Sequence, residues 1–169
     1  MKVTVLGLGH RIERDKRLTT HCALVSRAFG AGGMVYTGQK DSSLERSVEK
    51  VVRKWGGPFS IRHAKNWRSS LKGRSVHLTI YGIPLEQRIK ELSGCKELTV
   101  IVGGEKVPSE VYHTADFNIS VTSQPHSEIA ALSILLDRLF GGRELSAKFR
   151  NAELEVVPQE RGKKVIVKG

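Results

Sequence analysis

The chain has 169 residues, a length that suits one domain with a substantial core. Hydrophobic residues make up 39% and charged residues 27%, as in ordinary globular proteins, and the apolar runs are too short to span a membrane. Lysine and arginine number 28 against 17 acidic residues, so the net charge of +11 indicates a partner rich in phosphate groups.

Hydrophobic periodicity predicts strands that alternate with helices along the chain. In the first half we expect strands at 2–6, 34–36 and 59–63, and helices at 15–28 and from 41 to the Gly-Gly-Pro at 56–58. Ser42 and Glu45, at the start of the second helix, have the spacing of a capping box.

In the second half we expect strands at 76–81, 98–102 and 117–121, helices at 85–92 and 126–140, a loop or short helix at 66–71 and a helical turn at 110–114. For residues 153–169 we expect a small hairpin or an extended arm. This alternation predicts an α/β fold, a mainly parallel sheet with helices on both faces, in a single domain over 1–169.

Cysteine and histidine usage predicts a cytoplasmic protein without a metal. Cys22 and Cys95 form no Cys-x-x-Cys pair, so we expect free thiols, and the six histidines lack the spacing of a zinc site. The N-terminal segment MKVTVLGLGHR has a short apolar run and no cleavage signal, so we interpret it as the first strand.

The positive charge is clustered along the chain. Residues 50–85 contain eight basic residues and no acidic one, and HRIERDKR at 10–17 forms a second basic stretch. A solvated face explains many isolated charge runs, but a run this long favours nucleic acid. Aromatic residues make up 6%, which favours a folded RNA or a duplex bound by shape over a platform for stacking bases.

Two loops have the composition of a ligand site. TVIVGGEKVP at 99–108 ends a buried strand in two glycines, and SVTSQPHSEIAALSILLDR at 120–138 joins a strand to an apolar helix through a polar loop. An ordinary tight turn, and helix capping by Ser127 with Pro125 in the first turn, are the alternative interpretations. Loops at the carboxyl ends of neighbouring parallel strands can form one small-molecule pocket.

VLGLGHRI resembles the start of a dinucleotide fingerprint, but Ile12 stands where a third glycine is needed. We therefore interpret it as a strand-to-helix turn.

Three segments together resemble a known family of enzymes. LGHRIERDKRLTTHCALVSRAFGAGG, IVGGEKVP and VTSQPHSEIAALSILLDRL are similar, in this order, to motifs of the archaeal tRNA (cytidine-56) 2′-O-methyltransferase family. That family belongs to the SPOUT superfamily of trefoil-knotted RNA methyltransferases. The resemblance extends from residue 3 to about 157. It implies a C-terminal deep trefoil knot, a homodimer, and transfer of a methyl group from S-adenosylmethionine to the ribose 2′-hydroxyl of cytidine 56 in the tRNA T loop.

The resemblance also implies which residues bind the cofactor. They lie near the ends of three strands: Leu78, Gly103, Gly104, Glu105, Lys106, Val107, Val121, Thr122, Ser123, Gln124, Pro125, His126, Ser127 and Glu128.

A catalytic arginine of related ribose methyltransferases falls at Arg27. Leu18, Cys22, Val25 and Phe29 form the apolar stripe of the predicted helix, and Arg27 lies off it. We therefore expect Arg27 to be free to reach across a dimer interface and to stabilise the developing alkoxide.

The proton acceptor is open between two histidines. An arginine is a poor base because its pKa exceeds about 12. We therefore expect His21 or His126 to accept the proton of the hydroxyl.

Basic residues outside these motifs are expected to contact tRNA phosphates. They are Arg11, Arg14, Arg17, Lys65, Arg68, Lys72 and Arg74. A non-catalytic RNA-binding protein and a SPOUT methyltransferase that acts on a base of ribosomal RNA are the alternative functions.

Overall fold

The computed structural model describes residues 1–104 and 106–168. Six strands form one sheet in the order β3-β2-β1-β5-β4-β6, and every pairing in it is parallel. The strands are β1 Lys2–His10, β2 Gly33–Gly38, β3 Ser60–His63, β4 Arg74–Pro84, β5 Glu97–Gly103 and β6 Phe117–Ser120. The helices are α1 Ile12–Ala28, α2 Ser42–Trp55, α3 Leu85–Ser93, α4 Ser109–Thr114 and α5 Glu128–Phe140.

The two faces of the sheet are covered unequally. Alternate strand residues such as Val5, Tyr36 and Val100 pack with buried side chains of α1, α2, α3 and α5 in the larger core cluster. The opposite face has a smaller cluster built on Leu6, Val35 and Ile101, which α4 and the segment 64–71 cover. The predicted parallel α/β sheet with helices on both faces is therefore confirmed, with four helices on one face and α4 on the other.

The tail forms a separate two-stranded sheet. Strands β7, Leu154–Val157, and β8, Lys164–Val167, pair antiparallel. The segment before them lies against the end of α2, where the Gly57 N–H donates to the Arg150 carbonyl. The single domain and the trefoil knot stay predictions. None of the helices within the described residues is long and apolar enough to cross a membrane.

The structure differs from local expectations at the starts of α2 and α5. Ser42 and Glu45 do not form the predicted capping box of α2. Asp41 caps the helix instead, by accepting hydrogen bonds from two backbone N–H groups of the first turn. Glu45 instead accepts a hydrogen bond from the Tyr36 hydroxyl. Helix α5 begins at Glu128 behind a Ser127 cap, so Pro125 precedes the helix and does not lie in its first turn.

Helix α1 begins at Ile12, earlier than predicted, and its apolar stripe differs from the expected one. Cys22 is buried and Val25 and Phe29 pack against the core, whereas Leu18 is 39% exposed. Leu18 lines the pocket described below.

Candidate active site

A pocket of about 980 Å³ lies at the carboxyl ends of β1 and β5. The first turns of α1 and the start of α5 complete its wall. Leu8, Leu18, Val102 and Ile129 supply apolar surface, and Arg11, Arg14, Asp15, Lys106 and Glu128 supply charge. A pocket of this size with a few convergent polar groups suits a small-molecule ligand.

A β-bulge at the end of β1 shapes the floor of the pocket. The register with β2 runs from Gly7 opposite Tyr36 to His10 opposite Gly38, so β1 holds one residue more than its neighbour. Gly9 takes a φ of 71°, which a side chain would disfavour. The bulge places His10 in the pocket wall with 3% of its surface exposed.

The three strand ends predicted to bind the cofactor are neighbours in the sheet. Strands β5, β4 and β6 are adjacent in that order. Leu78 on β4 lies opposite Ile119 on β6, close to the start of the polar loop, and the pairing becomes irregular directly after Leu78. The arrangement therefore brings the Gly-Gly loop, Leu78 and the polar loop to one part of the molecule.

The pocket includes part of the predicted cofactor set. Gly103, Gly104, Lys106 and Glu128 line it, whereas Leu78, Val107 and residues 121–127 lie outside its lining. Glu105 lies outside the described residues.

The two glycines of this loop differ in their surroundings. A Cβ built at Gly103 would overlap Val107 of the same loop. At Gly104, a Cβ meets no heavy atom of the described residues within 4 Å, so that position faces open space.

Charged groups in the pocket wall are held by one another. Arg11 donates from Nε to Asp15 Oδ2 at 2.7 Å, and this hydrogen bond lowers the pKa of Asp15 from its usual value. Asp15 therefore stays ionised near neutral pH beside the Arg11 guanidinium.

Arg27 lies elsewhere. It is 7% exposed, and its Nη2 donates to the Trp55 carbonyl at 2.7 Å and to the Gly56 carbonyl at 2.6 Å. The guanidinium carbon also lies 4.4 Å from the centre of the Phe149 ring. Arg27 thus closes the carboxyl end of α2 within its own chain, and the prediction that it is free to reach across an interface is wrong.

The two histidines proposed as proton acceptors also lie outside the pocket lining. His21 is exposed on α1, and His126 is exposed in the polar loop, where its Nδ1 donates to the Ser127 carbonyl at 3.0 Å. In this single chain, neither imidazole faces the groups gathered in the pocket.

The predicted RNA-binding residues fall into two regions. Arg11 and Arg14 line the pocket, and Arg17 is exposed further along α1. Lys65 and Arg68 follow β3, and Arg68 forms an ion pair with Glu110 at 2.6 Å. Lys72 and Arg74 lie at the amino edge of the sheet, away from the pocket, because Arg74 pairs with Leu98 near the start of β5.

Sequence reasoning missed a buried polar cluster beside the pocket. His10 Nδ1 lies 2.8 Å from Thr19 Oγ1, and His10 Nε2 lies 3.5 Å from Asp41 Oδ2. His10 and Thr19 both line the pocket. The position of His10 at the end of the first strand was a usable signal, whereas its contact with Asp41 depends on tertiary structure.

The described part of the chain shows neither a metal site nor a disulfide. Within residues 1–104 and 106–168, no group of three or more His, Cys, Asp or Glu side chains is placed to hold a metal ion. Cys22 is buried and Cys95 half-buried, and both are free thiols. Burial raises the pKa of Cys22 to about 12, so this thiol stays protonated.

Solved structures, among them a tRNA modifying enzyme, share this fold. The TrmH/SpoU tRNA modifying enzyme of A. aeolicus aligns with a TM-score of 0.62 at 14% identity, over 85% of this chain and 76% of that one. TrmJ from Z. mobilis ZM4 aligns with a TM-score of 0.64 at 11% identity, over 85% and 70% of the two chains. At these identities the similarity establishes the fold alone.

Sequence relatives establish the family. The chain is 52% identical to the tRNA (cytidine(56)-2′-O)-methyltransferase of Methanopyrus kandleri, over 97% of this chain and 96% of that protein. It is 50% identical to the enzyme of the same name from Archaeoglobus fulgidus, over 98% and 99% of the two chains. Residues 55–166 match the model of the tRNA ribose 2′-O-methyltransferase family aTrm56. The family indicated by the three motifs is thereby confirmed, and the chain belongs to the aTrm56 family of tRNA ribose 2′-O-methyltransferases.

Proposed function

We propose that this protein transfers the methyl group of S-adenosylmethionine to the ribose 2′-oxygen of cytidine 56 in tRNA. One observation carries the proposal: relatives with this activity in their names are about half identical to the chain along nearly its whole length. The pocket at the carboxyl edge of a parallel sheet supports it, because open α/β sheets hold their ligands there.

The residues of the pocket fit the methyl donor. Leu8, Val102 and Ile129 offer apolar surface to an adenine ring, and the Glu128 carboxylate complements a cationic group. Open space beside Gly104 leaves room for a ligand against the backbone. When bound, the cofactor supplies an electrophilic methyl group on a positively charged sulfur.

The predicted loops remain our proposal for the cofactor site. The Gly-Gly loop, Leu78 and the polar loop 121–128 follow three adjacent strands, an arrangement that would let them hold one ligand together. Glu105 stays in the proposed set on the basis of the family resemblance.

Basic residues at the pocket mouth bind the tRNA backbone in this proposal. Arg11 and Arg14 line the pocket, and Arg17 is exposed on the same helix. Their charges would place a ribose of the bound tRNA near the pocket by contacts to its phosphates. Lys65 and Arg68 extend this surface beyond β3.

The state of the protein in the cell follows from the same proposal. We infer a cytoplasmic homodimer with a C-terminal trefoil knot in a single domain, as the family resemblance implies. Exposed apolar side chains on α1 and α5, Leu18 and Ile134, are candidates for the dimer contact. Light scattering with Leu18→Glu and Ile134→Glu tests this, and an unchanged dimer in both variants would place the interface elsewhere.

Transfer of a labelled methyl group to an unmodified tRNA transcript, followed by nuclease digestion, tests the activity. The proposal expects label in a 2′-O-methylcytidine that maps to position 56. Label in a base would favour a base methyltransferase, and binding of RNA without transfer would favour a non-catalytic binding protein.

A further inference from the structure

A chain of three side chains leads from the pocket into the core. Thr19 lies on α1 at the pocket wall with 9% of its surface exposed, and its hydroxyl is 2.8 Å from His10 Nδ1. On the far side of the imidazole ring, Nε2 lies 3.5 Å from Oδ2 of the buried Asp41. Thr19 therefore borders the pocket, and Asp41 lies at the inner end.

The carboxylate at the inner end is ionised. Burial raises the pKa of Asp41, but hydrogen bonds from the Ser43 hydroxyl and from the backbone N–H groups of Ser43 and Leu44 outweigh burial and bring the pKa to about 2. All three of these donors bind Oδ1. Oδ2 is left facing His10.

The hydrogen-bond pattern indicates which atoms donate and which accept among these three side chains. Asp41 Oδ2 and His10 Nε2 are both buried, and neither forms a hydrogen bond with any other of the described residues. The two atoms lie 3.5 Å from each other. A proton on Nε2 faces the carboxylate, whereas a lone pair there would be repelled by it. Nδ1 is then the acceptor, and the Thr19 hydroxyl donates to it.

We propose that Thr19, His10 and Asp41 form a proton relay that accepts the proton of the ribose 2′-hydroxyl during methyl transfer. The inference rests on the proposed function, since it assigns the proton acceptor of that reaction. Thr19 is the catalytic residue of the relay, because it lines the pocket and its hydroxyl lies within hydrogen-bond distance of His10. His10 and Asp41 act through Thr19 as positioning residues.

The atoms balance without a further reactant. The 2′-oxygen gives its proton to Thr19 Oγ1 while the Thr19 hydroxyl gives its own proton to His10 Nδ1. The 2′-oxygen gains the methyl group, and the bond from the methyl carbon to the donor sulfur breaks with its electron pair on sulfur. The product imidazolium lies against the Asp41 carboxylate, which lowers its energy, as in relays built from a hydroxyl, an imidazole and a carboxylate.

Other ionisable groups lie around the relay. From β2, Tyr36 meets the imidazole edge-on with ring centres 5.5 Å apart, and its hydroxyl donates to Glu45 of α2. From α1, Lys16 lies close enough to Asp41 to lower the pKa of that carboxyl. The other charged groups that line the same pocket are Arg11, Arg14, Asp15, Lys106 and Glu128.

The protonation pattern can be tested without cofactor or tRNA. In the protein labelled with ¹⁵N in its histidines, neutral His10 is expected as the Nε2–H tautomer, with Nδ1 as acceptor. A neutral His10 that carries its proton on Nδ1 would overturn the relay, because Nδ1 could then accept nothing from Thr19.

Matched threonine variants test the role in transfer. Thr19→Val removes the hydroxyl and keeps the branched shape, so single-turnover transfer should fall by about 100-fold or more, the usual effect of a lost general base. Thr19→Ser retains a hydroxyl and should stay within about fivefold of the parent. Thr20→Val is the control, because Thr20 is the adjacent residue and its hydroxyl donates to the Lys16 carbonyl of its own helix.

Cofactor affinity and transfer rate together separate the relay from a purely structural role of Thr19. The relay expects the cofactor affinity of Thr19→Val to stay within about threefold of the parent. Asp41→Asn, which retains a capping side chain, should reduce the transfer rate by about tenfold or more. Transfer by Thr19→Val within about threefold of the parent would overturn the relay alone, whereas an inactive parent enzyme would overturn the proposed function.

Discussion

Arg27 stabilises the fold by closing the end of α2. Its guanidinium donates to the Trp55 and Gly56 carbonyls and stacks on Phe149, which belongs to the segment leading to the tail. Helix ends leave carbonyl groups without partners, so a buried arginine at this place satisfies acceptors that water cannot reach. A sequence pattern assigns Arg27 to a helix face. It does not reveal the partners of Arg27, because these lie about thirty or more residues further along the sequence.

Arg27→Ala should therefore lower the free energy of unfolding by about 2–4 kcal/mol, because it leaves buried carbonyls unpaired and removes packing from Phe149. Urea unfolding followed by circular dichroism measures this change. Arg53→Ala is the control, since Arg53 is exposed on α2 and should cost less than about 0.5 kcal/mol. Equal unfolding midpoints for the two variants would contradict the structural role.

Gly104→Val tests the cofactor pocket with little effect on the protein. The Cβ would enter open space, so stability should change by less than about 1 kcal/mol, whereas affinity for S-adenosylmethionine in calorimetry should fall by about tenfold or more. Gly32→Val is the control outside the pocket, because a Cβ there meets the Val3 carbonyl oxygen at an ordinary 3.8 Å. Unchanged cofactor affinity in Gly104→Val would remove this loop from the site.

At the scale of elements, the sequence predicted the strands well. Alternating valines identify β1, and the continuous apolar run Leu98–Val102 identifies β5, since both depend on local pattern. The ligand loops at 103–108 and 121–128 stay predictions, which rest on glycine and hydroxyl residues that follow strands. The bulge that places His10 and the partners of Arg27 were missed, because register and long-range contacts leave no local pattern.

The start of α2 should respond to acid through Asp41. Its folded pKa of about 2 lies below the usual 3.8, so the carboxylate stabilises the fold fully above about pH 5 and loses that effect as the pH falls towards 2. A shift of this size corresponds to about 2 kcal/mol. Urea unfolding should therefore find Asp41→Asn less stable than the parent at pH 6 and nearly equal to it at pH 2. A difference that persists unchanged at pH 2 would contradict the assigned ionisation.

At the scale of the whole molecule, the positive charge is divided between two edges of the sheet. Arg11, Arg14 and Arg17 belong to the pocket side, whereas Lys72 and Arg74 lie at the amino edge. A count of charges along the sequence could not separate them, because the segment 64–73 crosses from one edge of the sheet to the other between β3 and β4. The pocket side is therefore the expected tRNA surface.

The salt dependence of tRNA binding tests this surface. Replacement of Arg14 and Arg17 by alanine should flatten the slope of log affinity against log salt by about two, because each lost phosphate contact releases about one counterion less. Filter binding at several salt concentrations measures the slope. The control replaces Lys90 and Lys96, which are exposed on α3 and before β5, and should leave the slope nearly unchanged. Equal slopes for the two double variants would mean that the pocket side makes no special phosphate contacts.

Transfer to a tRNA that carries a single 2′-deoxycytidine at position 56 tests the central claim most directly. This tRNA differs from the natural transcript by one oxygen atom, and that atom is the proposed acceptor of the methyl group. With labelled S-adenosylmethionine, we expect the natural transcript to gain about one methyl group per molecule and the deoxycytidine tRNA to gain none, although both bind the protein with similar affinity. Methylation of the two tRNAs at similar rates would contradict the assignment of the 2′-oxygen of cytidine 56 as the acceptor.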